Sequence, residues 1–193
     1  MNYKFDHADL CEKVGLERTY EFTVTADLPS GTAGYAFDDG RIEIAAGLPE
    51  KRAKQVYLHE IGHLLARSAL VHNAPRSDGH NKYFATLVAV MYRRAGGDLL
   101  NGLKVYDFAD AEEHVRYNGQ GPLPTEEELV SRFAFIMYRS AILAKKPWSV
   151  EQIGKHLFKR MLDEEAGRPI APELDEKPLW YWISSFFRIG AQT

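Results

Sequence analysis

The chain has 193 residues, 45% hydrophobic, 26% charged and 12% aromatic, a composition that suits one sizeable core and excludes a disordered or fibrous protein. A formal net charge of −3 leaves no bulk positive potential to drive nucleic-acid binding. The single cysteine, Cys11, excludes an internal disulfide framework, a cysteine-based zinc ribbon and an iron–sulfur cluster held by this chain alone, and it fits a reduced, cytoplasmic compartment. Lys4, Asp6, His7 and Asp9 occupy the place where a secretory leader would be apolar. No uncharged apolar run approaches the ~20 residues that span a membrane.

A short N-terminal segment of helical character leads to Tyr20–Thr25, where Tyr20, Phe22 and Val24 alternate as in a strand. Gly34–Phe37 and Arg41–Ala45 then read as a hairpin closed by Asp38-Asp39-Gly40, with Asp39-Gly40 supplying the positive φ angles of a tight turn. Pro49 and Glu50 suit the first turn of a helix that runs to about Leu70. After a loop containing Pro75, Ser77 or Asp78 is the expected N-cap of a second helix ending at Gly96-Gly97, with an apolar stripe at Phe84, Leu87, Val88 and Met91. A looser stretch, 98–124, precedes a third helix from Thr125 to about Ala144, opened by a capping box of Thr125 with Glu128. Ser149 caps a fourth, Val150 to about Ala166, and the tail carries the aromatic run Trp180–Phe187.

The chemistry concentrates in His59-Glu60-Ile61-Gly62-His63, an H-E-x-x-H sequence inside the predicted motif helix. At 3.6 residues per turn the two histidines share a face, so both imidazoles reach one metal, and Glu60 stands beside them as general base for a metal-activated water. Zn²⁺ suits neutral imidazole ligands and brings the pKa of its water towards ~7. Leu58, Ile61 and Leu65 offer a core face on the opposite side of the same helix.

A catalytic zinc needs a third protein ligand, with one position left for water. The extended pattern H-E-x-x-H-x-x-G-x-x-H fails, because positions 66 and 69 are both alanine, and no glutamate occurs between Glu60 and Glu112. Nearby donors are His72, Asp78 and His80. His80 precedes Phe84, Leu87 and Met91 at helical spacing and is the favoured ligand, projecting from the inward face of a second helix packed antiparallel on the first. His72 in the loop and Asp78 as ligand rather than cap remain the alternatives.

His59-Glu60-Ile61-Gly62-His63 followed by Asp78-Gly79-His80-Asn81-Lys82-Tyr83-Phe84 resembles the SprT-like zinc metalloproteases, the Spartan group, whose signature is H-E-x-x-H, a loop, and H-G-x-x-F opening the next helix. The resemblance covers residues 32–95. It implies zinc ligation by His59, His63 and His80, Glu60 as general base, and Phe84 as a packing aromatic. Asn81 stands where the signature has glycine, the 17 residues from His63 to His80 make a long gap, and no cysteine-rich ribbon follows. A weaker similarity links Glu127-Glu128-Leu129-Val130-Ser131-Arg132-Phe133-Ala134 to the E-x-x-A-x-R-F-A segment of ImmA/IrrE-type metallopeptidases, which would make Glu127 the third ligand.

The expectation is therefore an α+β, zincin-like fold: a small antiparallel or mixed sheet packed on the motif helix, with a helical C-terminal half. Residues 1–97 would form the metallopeptidase core, and 98–193 an extension that packs on it or recognises a partner. The activity implied is zinc-dependent hydrolysis of protein or peptide substrates, with the Arg41–Ala45 strand as the edge on which an extended peptide adds. Tyr83, His72 or Tyr57 would stabilise the oxyanion. The SprT-like resemblance further implies action on DNA-associated or crosslinked proteins, for which Lys51–Lys54, Tyr92-Arg93-Arg94 and Lys155–Arg160 are the candidate basic segments. The alternatives are a regulatory peptidase that clips one partner and a metal-stabilised binding protein without turnover.

Overall fold

A computed structural model describes residues 3–70, 81–100 and 125–169. Five helices and three strands are found among them: α1 (His7–Val14), β1 (Phe22–Thr25), β2 (Gly34–Ala36), β3 (Ile42–Ala45), α2 (Glu50–Leu70), α3 (Lys82–Arg94), α4 (Glu126–Leu143) and α5 (Val150–Glu165). The fold is α+β, with a small mixed sheet. No helix among the described residues is long and apolar enough to cross a membrane. His72, Asp78, His80 and the aromatic run 180–187 lie outside the described residues.

The sheet has the order β1-β3-β2. β3 pairs in parallel with β1, Phe22 opposite Ile42 and Val24 opposite Ile44, and antiparallel with β2, Tyr35 opposite Glu43. The expected hairpin is present, but two details differ from expectation. The central strand is β3, hydrogen-bonded on both sides, so Arg41–Ala45 is not an edge; on the hairpin side the edge is β2. The turn is also different, since Gly40 has φ +91° while no non-glycine residue has positive φ among those described. Gly40 N–H donates to the Phe37 carbonyl at 3.0 Å and Phe37 N–H to the Arg41 carbonyl at 2.8 Å. That is a three-residue loop ending in a left-handed glycine, the type I turn with a bulge, and Asp39 instead accepts from Arg41 N–H and Nε at 3.1 and 2.8 Å.

Helix α2 matches its expected span. The Pro49 carbonyl accepts from Ala53 N–H at 2.9 Å, so the proline caps the helix, where its missing N–H costs nothing. Leu58, Ile61 and Leu65 are buried as expected, in one core with Ile42 and Ile44 of the sheet. Helix α3 returns along α2 in the opposite sense, with Phe84 against His63 and Tyr92 OH donating to the Gln55 carbonyl at 3.0 Å. Its N-cap is Asn81, whose side chain accepts from the N–H groups of Tyr83 and Phe84 at 2.9 and 3.0 Å. The helix therefore starts later than a cap at Ser77 or Asp78 would place it. From Tyr83 to Tyr92 every residue of α3 is buried, a wider apolar surface than one stripe, because α2, α4 and α5 all pack on it.

Helix α5 opens with a full capping box between Ser149 and Gln152. Ile136 and Leu143 of α4 and Val150, Ile153, Leu157, Phe158 and Met161 near or on α5 belong to the same buried cluster as α2 and α3. Arg93 and Arg94 connect these layers and do not form a basic surface. Arg93 donates to Ser140 Oγ at 2.9 Å and the Met137 carbonyl at 3.1 Å. Arg94 donates to the carbonyls of Val14, Ala144, Lys146 and Trp148 at 2.8–3.1 Å. Val14 and Ala144 sit at the C-terminal ends of α1 and α4, where helix carbonyls lack intrahelical donors, and Lys146 and Trp148 lie in the connection to α5. Burial lowers the pKa of both guanidiniums.

Replacing Arg94 by alanine leaves four carbonyls to be satisfied at once, and the expected loss is about 2–4 kcal/mol of unfolding free energy. Arg94→Lys recovers little of it, because one ammonium cannot span the four acceptors. Urea denaturation of the two variants beside the wild type measures this.

Candidate functional site

Helix α2 places His59, Glu60 and His63 along a cleft of about 450 Å³ whose opposite wall is the run Gly31–Ala36, which includes edge strand β2. The histidines are half-buried and Glu60 is 7% exposed. His59 Nε2 and His63 Nε2 face each other at 3.2 Å. In a metal-free chain that is a hydrogen bond with one ring donating. It is also close to the roughly 3.3 Å edge between two nitrogens of a tetrahedral zinc with bonds of about 2.0–2.1 Å. The pair thus fits a zinc ion as two of its ligands.

The imidazoles are held from behind by Phe84, 1% exposed, whose ring stacks on His63 at 4.5 Å and meets His59 edge-on at 5.1 Å. Gly62 makes this approach possible. A Cβ at that position would lie 3.1 Å from Phe84 Cε2 and 3.1 Å from Val88 Cγ2, so a side chain there would require the Phe84 and Val88 side chains to give by a few tenths of an ångström. Gly34 does the same on the cleft side, where a Cβ would lie 2.3 Å from Val56 Cγ1 and 3.0 Å from Glu60 Oε1. Strand β2 can lie close to Glu60 only because residue 34 has no side chain.

One turn beyond His63, Arg67 Nη1 donates to the Ala36 carbonyl at 2.7 Å and pairs with Asp38 at 3.2 Å, tying the hairpin to the motif helix. Antiparallel alternation, with 33/45 and 37/41 hydrogen-bonded, turns the N–H and C=O of Gly34 and Ala36 away from β3. Arg67 takes up one of these carbonyls. Gly34, Arg67 and Gln55 escaped the sequence reading. Arg67 is the one a spacing argument reaches, lying four and eight residues beyond the two histidines on the same stripe.

Two expected oxyanion donors are engaged elsewhere. Tyr57 is buried with Phe5 and Phe22; its hydroxyl donates to the Tyr20 carbonyl and lies 3.1 Å from Cys11 Sγ. Burial, then the Cys11 contact, raises its pKa far above the usual range. Tyr83 donates to Glu164 Oε2 at 2.6 Å, and its pKa is raised by burial and then by that carboxylate. Glu127 is exposed in the first turn of α4. Among the described residues no group of three His, Cys, Asp or Glu side chains is arranged to hold a metal, so Glu127 does not join the histidine pair. His80, the favoured third ligand, is outside the described set. No protein-family profile, curated protein or solved structure matches this chain.

Gly34→Ala is expected to destabilise the fold by about 1–3 kcal/mol through overpacking against Val56. Introduced into a Val56→Ala background, where the obstructing methyl is gone, the same substitution costs less. A double-mutant cycle in urea measures the difference.

Proposed function

We propose that this chain is a zinc-dependent peptidase in which His59 and His63, with His80, hold the metal and Glu60 is the general base. The observation that carries the reading is the 3.2 Å approach of the two Nε2 atoms in a cleft that also contains a buried glutamate. Position 80 is supported by its neighbours: it adjoins Asn81, the cap of α3, three residues before the Phe84 ring that touches both histidines. His59, His63 and His80 would hold a zinc ion whose Lewis acidity would be available to a scissile carbonyl and to water near neutral pH. Glu60 takes the proton of the attacking water and hands it to the leaving amine, a transfer favoured by its burial beside the histidines. The outward N–H and C=O of Gly34 and the outward N–H of Ala36, whose carbonyl Arg67 occupies, align an extended substrate chain as an added strand.

The substrate class is protein or peptide. A DNA-associated substrate follows from the SprT-like resemblance alone. Of the basic segments that would serve it, Arg93 and Arg94 are directed to backbone carbonyls, Lys54 pairs with Glu50 at 2.8 Å and Lys159 with Asp163 at 2.7 Å. A regulatory peptidase that clips a single partner needs none of these cations.

The test combines zinc analysis with cleavage of an unfolded protein substrate by the wild type, Glu60→Gln, His59→Ala and His80→Ala. One zinc per wild-type chain is expected, lost in both alanine variants. Glu60→Gln should retain the metal and lose about 10²–10⁴-fold in rate. A wild type without zinc, or a Glu60→Gln variant that still cleaves, refutes the proposal. Single-stranded DNA added to the wild-type assay separates the two substrate readings: salt-sensitive stimulation indicates a DNA-associated substrate, and an unchanged rate indicates the regulatory one.

A further inference from the structure

We propose that Glu164, in the last turn of α5, is a positioning residue for the His59–His63 pair; this rests on the metallopeptidase reading above. Three consecutive residues that open α3 are tied to that part of α5. Asn81 Nδ2 lies 3.2 Å from Met161 Sδ, Lys82 Nζ donates to Glu164 Oε1 at 2.7 Å, and Tyr83 OH donates to Glu164 Oε2 at 2.6 Å. The next residue is Phe84, whose ring lies on both imidazoles. One carboxylate with an anchor on each oxygen therefore fixes the helical turn that carries the ring.

The first turn of a helix is where such a clamp matters most, since its N–H groups lack intrahelical acceptors and it frays before the middle does. Tyr83 is 3% exposed and meets Phe135 edge-on at 5.6 Å, so the donor side of its bond to Glu164 is shielded by packing while the carboxylate side remains open to solvent, and the bond is charge-assisted. The Lys82 hydrogen bond, followed by that of Tyr83, holds the Glu164 carboxyl below the usual glutamate range and keeps it ionised at neutral pH. The face of Phe84 stacks on His63 at 28° and its edge meets His59 at 78°, which restricts the rotation of both imidazoles about χ2. Loosening the turn lets the Phe84 ring move, and the histidines lose their convergence while the rest of the fold stays intact. Groups that orient ligands in this way commonly contribute about 10–100-fold to metal affinity.

Two readouts test this on the full chain: zinc affinity by competition with a chromophoric chelator, and, without metal, nuclear Overhauser contacts from the Phe84 ring to the His59 and His63 imidazoles. Thermal midpoints are recorded alongside. Glu164→Ala is expected to weaken zinc by about 10–100-fold and to lose the ring contacts. Glu164→Gln, whose amide oxygen still accepts a hydrogen bond, recovers most of the affinity. Tyr83→Phe, which removes one anchor, falls between them. Wild-type zinc affinity in Glu164→Ala overturns the proposal, and if that variant does not fold, wild-type affinity in Tyr83→Phe does so instead. A wild type that takes up no zinc refutes the metallopeptidase reading; the ring contacts then decide the positioning role, and their persistence in the alanine variant overturns it.

Discussion

The contact of the Phe84 ring with two imidazoles depends on an absence: position 62, between the histidines, has no side chain. With hydrogen at Gly62, Phe84 and Val88 of α3 approach to within 3.1 Å of where a Cβ would lie. The ring then closes the back of the histidine pair, whose remaining freedom is to face one another across 3.2 Å. Even a shift of a few tenths of an ångström by those two side chains would loosen the contact of the Phe84 ring with the imidazoles, and packed interiors lose contact energy when such gaps open. The spacing of the two nitrogens is therefore a property of the helix crossing as much as of the i, i+4 repeat.

Helix α2 serves three neighbours at once. One side carries Leu58, Ile61 and Leu65 into the core, a second meets α3 through Gly62, and a third lines the cleft opposite β2. Such a helix has little solvated surface in its middle, which explains why Gln55 and Glu60 are buried polar residues. Gln55 satisfies its amide on the Leu99 carbonyl at 3.0 Å. Arg67 takes part in holding the third neighbour, since its guanidinium joins the strand wall to the helix wall.

Much of this was legible locally. The limits of α2, α4 and α5 follow from helical periodicity, from Pro49 and from Ser149, and the hairpin from alternation around Asp39-Gly40. What was hidden depends on partners distant in sequence. That β3 is central follows from its parallel pairing with β1, about twenty residues earlier, a non-local choice that alternation within either strand does not encode. Several cap-competent residues lie between 77 and 81, and Asn81 serves because the first turn must begin where Phe84 reaches the histidines. Arg93 and Arg94 look like a basic patch in one dimension. Only the arrival of the ends of α1 and α4 reveals them as donors to carbonyls. Of the candidate site, the H-E-x-x-H residues were readable from spacing alone. Gly34 was not, because its importance comes from Val56 and Glu60 across the cleft.

The guanidinium of Arg94 also bears on how the chain can be divided. Its acceptors include Val14 near the start and Trp148 beyond α4, so a single side chain knots together segments separated by more than a hundred positions. A fragment cut after residue 97 would keep the H-E-x-x-H helix, yet it would strip α3 of α4 and α5 and leave this cation facing water where the Ala144, Lys146 and Trp148 carbonyls had been. Shortened versions for crystallisation or expression are better trimmed outside the span that Arg94 ties together than at the apparent seam following Gly97.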